Sequence, residues 1–285
     1  TIRRLRRRVG STATPLHSFF ALVADCPSLR LVCDAQAEHV RAALAGTEHA
    51  HLPVLSAAAP FKAGGRGGPA NYTDVPAGRL ALRHVADLYA FPNALRAVRV
   101  TGAELAEWLE RSAALFCRLI PGVADQPLID PDFRSHNFDV IAGVTYAIDP
   151  TEPARYDAEG RLIDPAARRL RDLCHQGRPV APDAEFVVAT NSYRVALRQR
   201  DAGPGFRVIL SPDVSNRDIL LRHIAARSDV TPRAAPSWRL TVPPGTSALF
   251  DTSPRAVAHL AALPGLTLES AGDAPGGFAR IRIRV

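Results

Sequence analysis

ALRAVRVTGAELAEWLERSAALF, residues 94–116, is the stretch on which the fold turns. ALRAVRVTG (94–102) alternates apolar and polar residues with the period of a β-strand. At Thr101 the period changes. TGAELAEWLERSAALF (101–116) opens with a capping box, Thr101 with Glu104 three residues on. It then carries one apolar face of Leu105, Trp108, Leu109 and Ala113, as an amphipathic helix does. The spacing therefore predicts a strand running directly into a helix.

The same reading extends outward in both directions. Before it, DAQAEHVRAALAG predicts a helix from an N-cap at Asp34 to a stop at Gly46, and residues 15–25 show mixed helical periodicity. HLPVLSA (51–57) predicts a buried strand, FKAGGRGGPANYTD a glycine-rich loop, and RHVADLYAFPN (83–93) a helix ended by Pro92. After it, FDVIAGVTYAID (138–149) predicts one long strand with Gly143 inside as a bulge. LCHQGRPV (173–180) predicts a hairpin turning at Gln176-Gly177, and EFVVATN (185–191) a strand leading into a long loop, SYRVALRQRDAGPG. Residues 215–227 and 254–263 predict helices, and SWRLTV and FARIRIRV strands. Strands and helices alternate irregularly with hairpins among them, which predicts an α+β fold on a mixed β-sheet rather than a doubly wound parallel one.

Composition narrows the function. The 285 residues are 47% hydrophobic and 22% charged, enough apolar material for a real core. No apolar run approaches the roughly 18 residues that a membrane-spanning helix needs. The net charge is +7, yet Lys62 is the single lysine and the only dense basic run is Arg3, Arg4, Arg6, Arg7 and Arg8. The other arginines are interleaved with Asp and Glu, so no nucleic-acid polymer is expected as a partner. The chain starts at Thr1 and contains no methionine, so it is expected to be a processed form or a fragment. Cys26, Cys33, Cys117 and Cys174 form no CxxC, which excludes a zinc ribbon. Cys26 and Cys33 are close enough in sequence to pair, whereas Cys117 reads as a buried small hydrophobe.

Each candidate for chemistry has a plainer alternative. His49-Ala50-His51 imitates a metal-binding HxH, but a di-metal centre needs several further Asp, Asn and His ligands, and the segment reads as a solvated loop between helix and strand. Ser135-His136-Asn137-Phe138-Asp139 reads as polar residues at a strand entrance. Gly64-Gly65-Arg66-Gly67-Gly68, with Lys62 beside it, either cradles a phosphate through backbone N–H groups or is a surface loop. Phe91 and Tyr193 both fall at element ends, where an aromatic either stacks on a flat ligand or packs into the core.

Four long motifs in order settle on a family. LPVLSAAAPFKAGGRGG (52–68), ADLYAFPNALRAVRVTGAELAEWLERSA (86–113), FRSHNFDVIAGVTYAIDPTEPARYD (133–157) and FVVATNSYRV (186–195), with SWRL (237–240) and DTSP (251–254), resemble one group of proteins from about residue 13 onward. That group is the C-terminal domain of the bacterial periplasmic 2′,3′-cyclic-nucleotide 2′-phosphodiesterases/3′-nucleotidases, within the 5′-nucleotidase superfamily. The resemblance implies a two-domain hydrolase. An N-terminal metallophosphatase domain in cis would carry two divalent metal ions, and the domain seen here would hold the nucleoside and bind no cofactor itself. It implies that residues 1–49 connect to that preceding domain, with a hinge near 13–46, and that 50–285 form the substrate-binding domain. It implies a base sandwiched between Phe91 and Tyr193, with Asn191 and Arg194 of the same motif, and Ser56, Lys62 and Arg66 of the first motif, also on the substrate side. It further implies a periplasmic or secreted location, no membrane span, and a nucleotide or nucleoside as the ligand. One departure stands out: Leu197-Arg198 replaces a family Gly-Gly turn beside the ribose, so either the ribose contact is altered or Gly203 and Gly205 supply the turn later in the loop. The alternative reading is a degenerate module, without catalysis, for binding or surface attachment.

Overall fold

The computed structural model describes residues 5–200, 203–227, 229–232, 236–262 and 267–284. Its centre is a five-stranded mixed sheet. The strands, in chain order, are β1 (Val54–Ala58), β2 (Leu95–Thr101), β3 (Val140–Ala142), β4 (Glu185–Asn191) and β5 (Arg207–Leu210). Across the sheet the order is β5-β2-β4-β1-β3, with β4 parallel to β1 and the other neighbours antiparallel. β4 is the central strand and every residue from Phe186 to Asn191 is buried, as a strand covered on both faces must be.

Helix α1 (Pro27–Leu44) packs over β1 and β4. Helix α2 (Leu82–Leu88) precedes β2, and α3 (Gly102–Ala113) follows it without a loop. The capping box at Thr101 is present: its hydroxyl accepts from Glu104 N at 3.2 Å and Glu104 accepts from Thr101 N at 2.8 Å. At the other end, the buried Arg169 donates Nη1 to the carbonyls of Ala113 and Phe116 at 3.0 and 2.6 Å, closing off the helix C-terminus. Helix α4 (Ser192–Arg198) follows β4, and α5 (Asn216–Ala225) packs against α1 and α2.

Two four-stranded sheets flank the centre. One joins Thr145–Ile148, Leu170–His175, Arg178–Pro179 and Trp238–Leu240. The other joins Thr267–Ala274, Phe278–Arg284, Ser247–Thr252 and Gln126–Pro127. The α+β class with a mixed sheet holds.

Several local expectations change. Residues 138–149 are not one strand. At Gly143 (φ +99°) the chain leaves the central sheet and re-enters a flanking one, because only glycine takes that backbone angle easily and a Cβ there would meet Leu55 Cδ2 at 2.8 Å. The first half of the expected loop SYRVALRQRDAGPG is helix α4. The helix expected from Asp34 begins earlier, at Pro27, whose ring suits the first turn. Residues 15–25 form a two-residue strand and turns rather than a helix, and Pro254–Ala262 is 3₁₀. The hairpin at Gln176-Gly177 stands, both residues having positive φ.

Cys26 and Cys33 cannot bridge. They sit two turns apart at the start of one helix, about 10 Å of rise, and all four cysteines are free. Cys117 is half-buried rather than buried. The boundary at residue 50 also separates what the structure joins. Arg8–Thr12 pairs with Gly78–Ala81, and Leu29, Val32, Cys33 and Val40 of α1 share one hydrophobic cluster with Leu55, Val188 and Ile141. Residues 8–44 are thus structural members of this domain rather than a free connector.

Candidate functional site

The sequence places Phe91 and Tyr193 at the ends of two elements that finish on the same side of the molecule. Strand β4 ends at Asn191, whose side chain accepts from Arg194 N at 3.0 Å and so starts α4 at once. Tyr193 is consequently the second residue of that helix. It is 40% exposed, and its hydroxyl donates to Asn137 Oδ1 at 3.1 Å. Phe91 follows α2 on a turn that Arg217 of α5 holds by donating to the carbonyls of Tyr89, at 2.9 Å, and Ala90. It is 51% exposed. Neither ring belongs to the core.

Phe61 ties the two ends together. Its ring meets Phe91 edge-to-face at 5.2 Å and the buried Tyr89 edge-to-face at 5.0 Å. The Arg194 guanidinium carbon lies 5.6 Å above its centre. Tyr89 in turn accepts from Asn191 Nδ2 at 2.9 Å. On the other side, His136 lies edge-to-face to Tyr193 at 6.0 Å. Phe61 and His136 both line a half-open cleft of about 790 Å³; Phe91 and Tyr193 are not themselves in its lining and meet it through those two rings. That volume lies within the range of small-molecule sites.

The cleft is mixed in character. Phe19, Leu115, Ile129 and Phe278 give it apolar surface, and Arg66 and Arg134 are exposed cations with no carboxylate partner among the described residues. Arg66 sits in the 3₁₀ turn Gly65–Gly67. In that loop the N–H groups of Gly64, Gly67 and Gly68 donate to Asn71 O, Gly64 O and Gly65 O. Those three N–H groups are thus used within the loop.

Beneath the rim lies a buried charge cluster that the sequence reading passed over. Asp139, at the end of the Ser135–Asp139 motif, is fully enclosed. It accepts from Trp108 Nε1 at 2.7 Å, from Arg198 Nη2 at 3.2 Å and from Arg194 Nε. Burial alone would raise its pKa, but the Arg194 and Arg198 guanidiniums with the indole N–H hold it below the usual carboxylate range. Arg194, 1% exposed, also donates to His136 O at 3.0 Å. His136 is held below the ordinary histidine value by burial first and by Arg194 and Arg134 next. It is neutral near pH 7.

The expected site residues thus divide. Phe91, Tyr193 and Arg66 are accessible at or beside the cleft. Asn191 and Arg194 are buried, Asn191 bonded to Tyr89 and Arg194 N, and Arg194 to Asp139 and His136 O. Lys62 is held by Asp87. Ser56 faces inward: it accepts from Gln36 Nε2 at 2.9 Å and donates to Ala189 O at 3.4 Å, so its hydroxyl is used inside the sheet. Leu197-Arg198 lies on α4, and Arg198 reaches Asp139, so no turn forms at that point. Phe61 and Asp139 are the functional candidates that the sequence reading did not find. His49 and His51 lie in turns, and among the described residues no three His, Cys, Asp or Glu side chains converge as a metal site would need.

Comparisons with known proteins agree on one group. The family model described as "5′-nucleotidase, C-terminal domain" matches residues 8–199, and it begins where the first described strand begins. A 2′,3′-cyclic-nucleotide 2′-phosphodiesterase/3′-nucleotidase of Haemophilus influenzae is 43% identical over 296 residues, which cover 96% of this chain and 44% of that protein. The protein of the same name from Salmonella typhimurium is 44% identical over 259 residues, covering 86% of this chain and 40% of that one. The trifunctional nucleotide phosphoesterase protein YfkN of Bacillus subtilis is 41% identical over 260 residues, 89% of this chain and 17% of that protein. The chain thus spans less than half the length of these relatives. Among solved structures, a 5′-nucleotidase from Staphylococcus aureus, described as putative, superposes with a TM-score of 0.60 at 19% identity, over 84% of this chain and 42% of that one. An NAD nucleotidase of Haemophilus influenzae superposes with 0.56 at 14% identity, over 85% and 39%. At such identities the likeness is one of fold.

Proposed function

Because the chain belongs to the 5′-nucleotidase C-terminal domain family, we propose that it is the nucleoside-binding domain of a phosphoric ester hydrolase acting on 2′,3′-cyclic nucleotides and 3′-nucleotides. The observation that carries this reading is the pair of exposed aromatics, Phe91 and Tyr193, each joined to the rim of one cleft through Phe61 or His136. Exposed aromatic faces at a cleft mouth suit a flat, amphipathic ligand, and a nucleobase is one. Each stacked face is worth ~1–3 kcal/mol. Stacking reads the face of a base and not its edge, so the domain tolerates different bases.

The phosphate-bearing part of the nucleotide extends along the cleft toward Arg66. Asn191, Arg194 and Asp139 do not touch it. They fix the first turn of α4 and so the plane of the Tyr193 ring, which orients the ligand for a reaction elsewhere. Two divalent metal ions would be held by the N-terminal metallophosphatase domain expected in cis and would supply Lewis-acid chemistry there. The described residues offer no ligand set that fits such ions. The domain works outside the cytoplasm, in nucleotide catabolism and salvage of phosphate and nucleoside. None of its described helices is long and apolar enough to cross a membrane.

Titration of this chain with adenosine and adenosine 3′-phosphate, followed by calorimetry, tests the reading. Both ligands are expected to saturate. Phe91→Ala and Tyr193→Ala are each expected to weaken binding by roughly 5- to 150-fold, the range that follows from the loss of one stacked face. Affinities unchanged in both variants would return the two rings to the role of bystanders.

A further inference from the structure

A second, smaller cavity lies behind the buried Asp139. It has about 260 Å³ and is lined by Glu104, Glu107, Arg111, Arg155 and Arg198 together with aromatic rings. Its five charged residues carry three positive charges against two negative ones. Both carboxylates are already engaged. Glu104 accepts from the N-terminus of its own helix and from Phe206 N at 3.0 Å. Glu107 accepts from Arg155 Nε at 2.9 Å and from the Tyr156 hydroxyl.

Two of the arginines are not satisfied in this way. The Nε groups of Arg111 and Arg198 are buried and have no hydrogen-bond acceptor. Arg111 stacks over the Tyr156 ring at 4.3 Å, and Arg198 reaches Asp139 with Nη2 only. Those two Nε atoms are sealed from any ligand, but among the described residues Arg111 makes no hydrogen bond through its Nη groups and Arg198 leaves Nη1 unused, so these terminal groups are the donors open to an anion. Arg198 is pushed below the ordinary arginine value by burial, a shift that Asp139 opposes and that Arg111 and Arg194 reinforce. Positive charge is therefore in excess here.

We propose that this cavity binds a tetrahedral oxyanion, inorganic phosphate or the phosphate of a monoester, between Arg111 and Arg198. The two guanidiniums come from two helices, α3 and α4. A tetrahedral oxyanion offers oxygens in both directions, where a planar carboxylate offers a single plane. Three aromatic rings, Trp108, Tyr156 and Phe206, wall the cavity and lower the local dielectric around the pair. The site is separate from the nucleoside platform but shares Asp139 with it, since Arg194 and Arg198 donate to opposite oxygens of that one carboxylate. An anion that draws Arg198 away thus alters the support of Tyr193. Phosphate is the product of the proposed hydrolysis, which makes the site a candidate for product sensing. Oxyanion binding itself does not depend on that reading.

The Trp108 indole N–H, bonded to Asp139, is a local reporter, and Trp238 is an internal control. In ¹H–¹⁵N spectra of this chain at fixed ionic strength, inorganic phosphate is expected to shift the Trp108 indole resonance saturably and leave Trp238 in place. Arg111→Gln, which breaks no buried ion pair, is expected to weaken the response at least tenfold, and Arg198→Gln to abolish it. Acetate at equal ionic strength is expected to give no response. Adenosine 3′-phosphate shifting Trp108 where adenosine does not would assign the monoester as a ligand, and a response to phosphate alone would assign the free ion. Tyr193→Ala is expected to keep the phosphate response, which separates this site from the platform. A Trp108 resonance indifferent to phosphate would overturn the proposal. So would a response lost in Arg66→Gln but intact in Arg111→Gln.

Discussion

Asp139 shows most clearly what a single residue does in this molecule. One enclosed carboxylate accepts from Trp108, Arg194 and Arg198, which lie on two helices, α3 and α4. Removing one partner from such a cluster leaves buried charge uncompensated. Asp139→Asn is expected to lower the stability of the chain by about 3–5 kcal/mol, read as a shift of the urea midpoint at pH 7. Nothing near Asp139 in the sequence announces this. Its partners are 31 to 59 residues away along the chain, so SHNFD reads as a polar strand entrance until the fold brings them in. The same holds for Phe91 and Tyr193. Their positions at element ends are legible, but exposure depends on what packs around them. Phe61, three residues past the end of β1, joins the platform only because the ends of α2 and β4 meet there.

Among the elements, those whose local signals agree are legible. The strand–helix unit of residues 95–113 has alternation, a capping box and a single apolar face, and the structure keeps all three. Helix α4 is short, with Tyr and Val in its first half and Arg-Gln-Arg after it, and its one strong signal is the cap at Asn191. It is a helix because β4 delivers it onto Asp139, and tertiary pairing outweighs weak propensity. The 138–149 segment is the opposite case: β-propensity is high throughout, and Gly143 decides where one sheet ends and the next begins. Gly143→Ala is expected to cost about 1–3 kcal/mol, seen as a lower thermal midpoint, since it both strains a positive φ and crowds Leu55. An equal midpoint would mean that the backbone angle there is free to change.

At the scale of the whole molecule, pH acts through a partly buried histidine. His17 stacks on Phe19 at 4.8 Å and faces His259 at 4.7 Å, and its Nδ1 is buried without a partner. Burial first, and repulsion from His259 next, lower its pKa to about 4, while Asp74 pulls the other way. A lowered histidine pKa favours the neutral form in the folded state. The unfolded chain then binds more protons between about pH 6.5 and 4, and stability falls as pH falls through that window. From pH 7 to pH 5 the loss assigned to His17 is about 1–2 kcal/mol, allowing for its partial exposure. His17→Phe is expected to flatten that part of the profile in urea unfolding, and an unchanged slope would place the dependence on other groups. The sequence by itself determined the α+β class, the principal strand–helix unit and the nucleotidase family, because periodicity, caps and ordered motifs are local or collinear features. Only the tertiary structure decided that residues 8–44 belong to the same core, that Ser56 and Lys62 are occupied, and that Asp139 underlies the rim. Those facts depend on which distant groups become neighbours, and burial and electrostatic pairing exist only once they have.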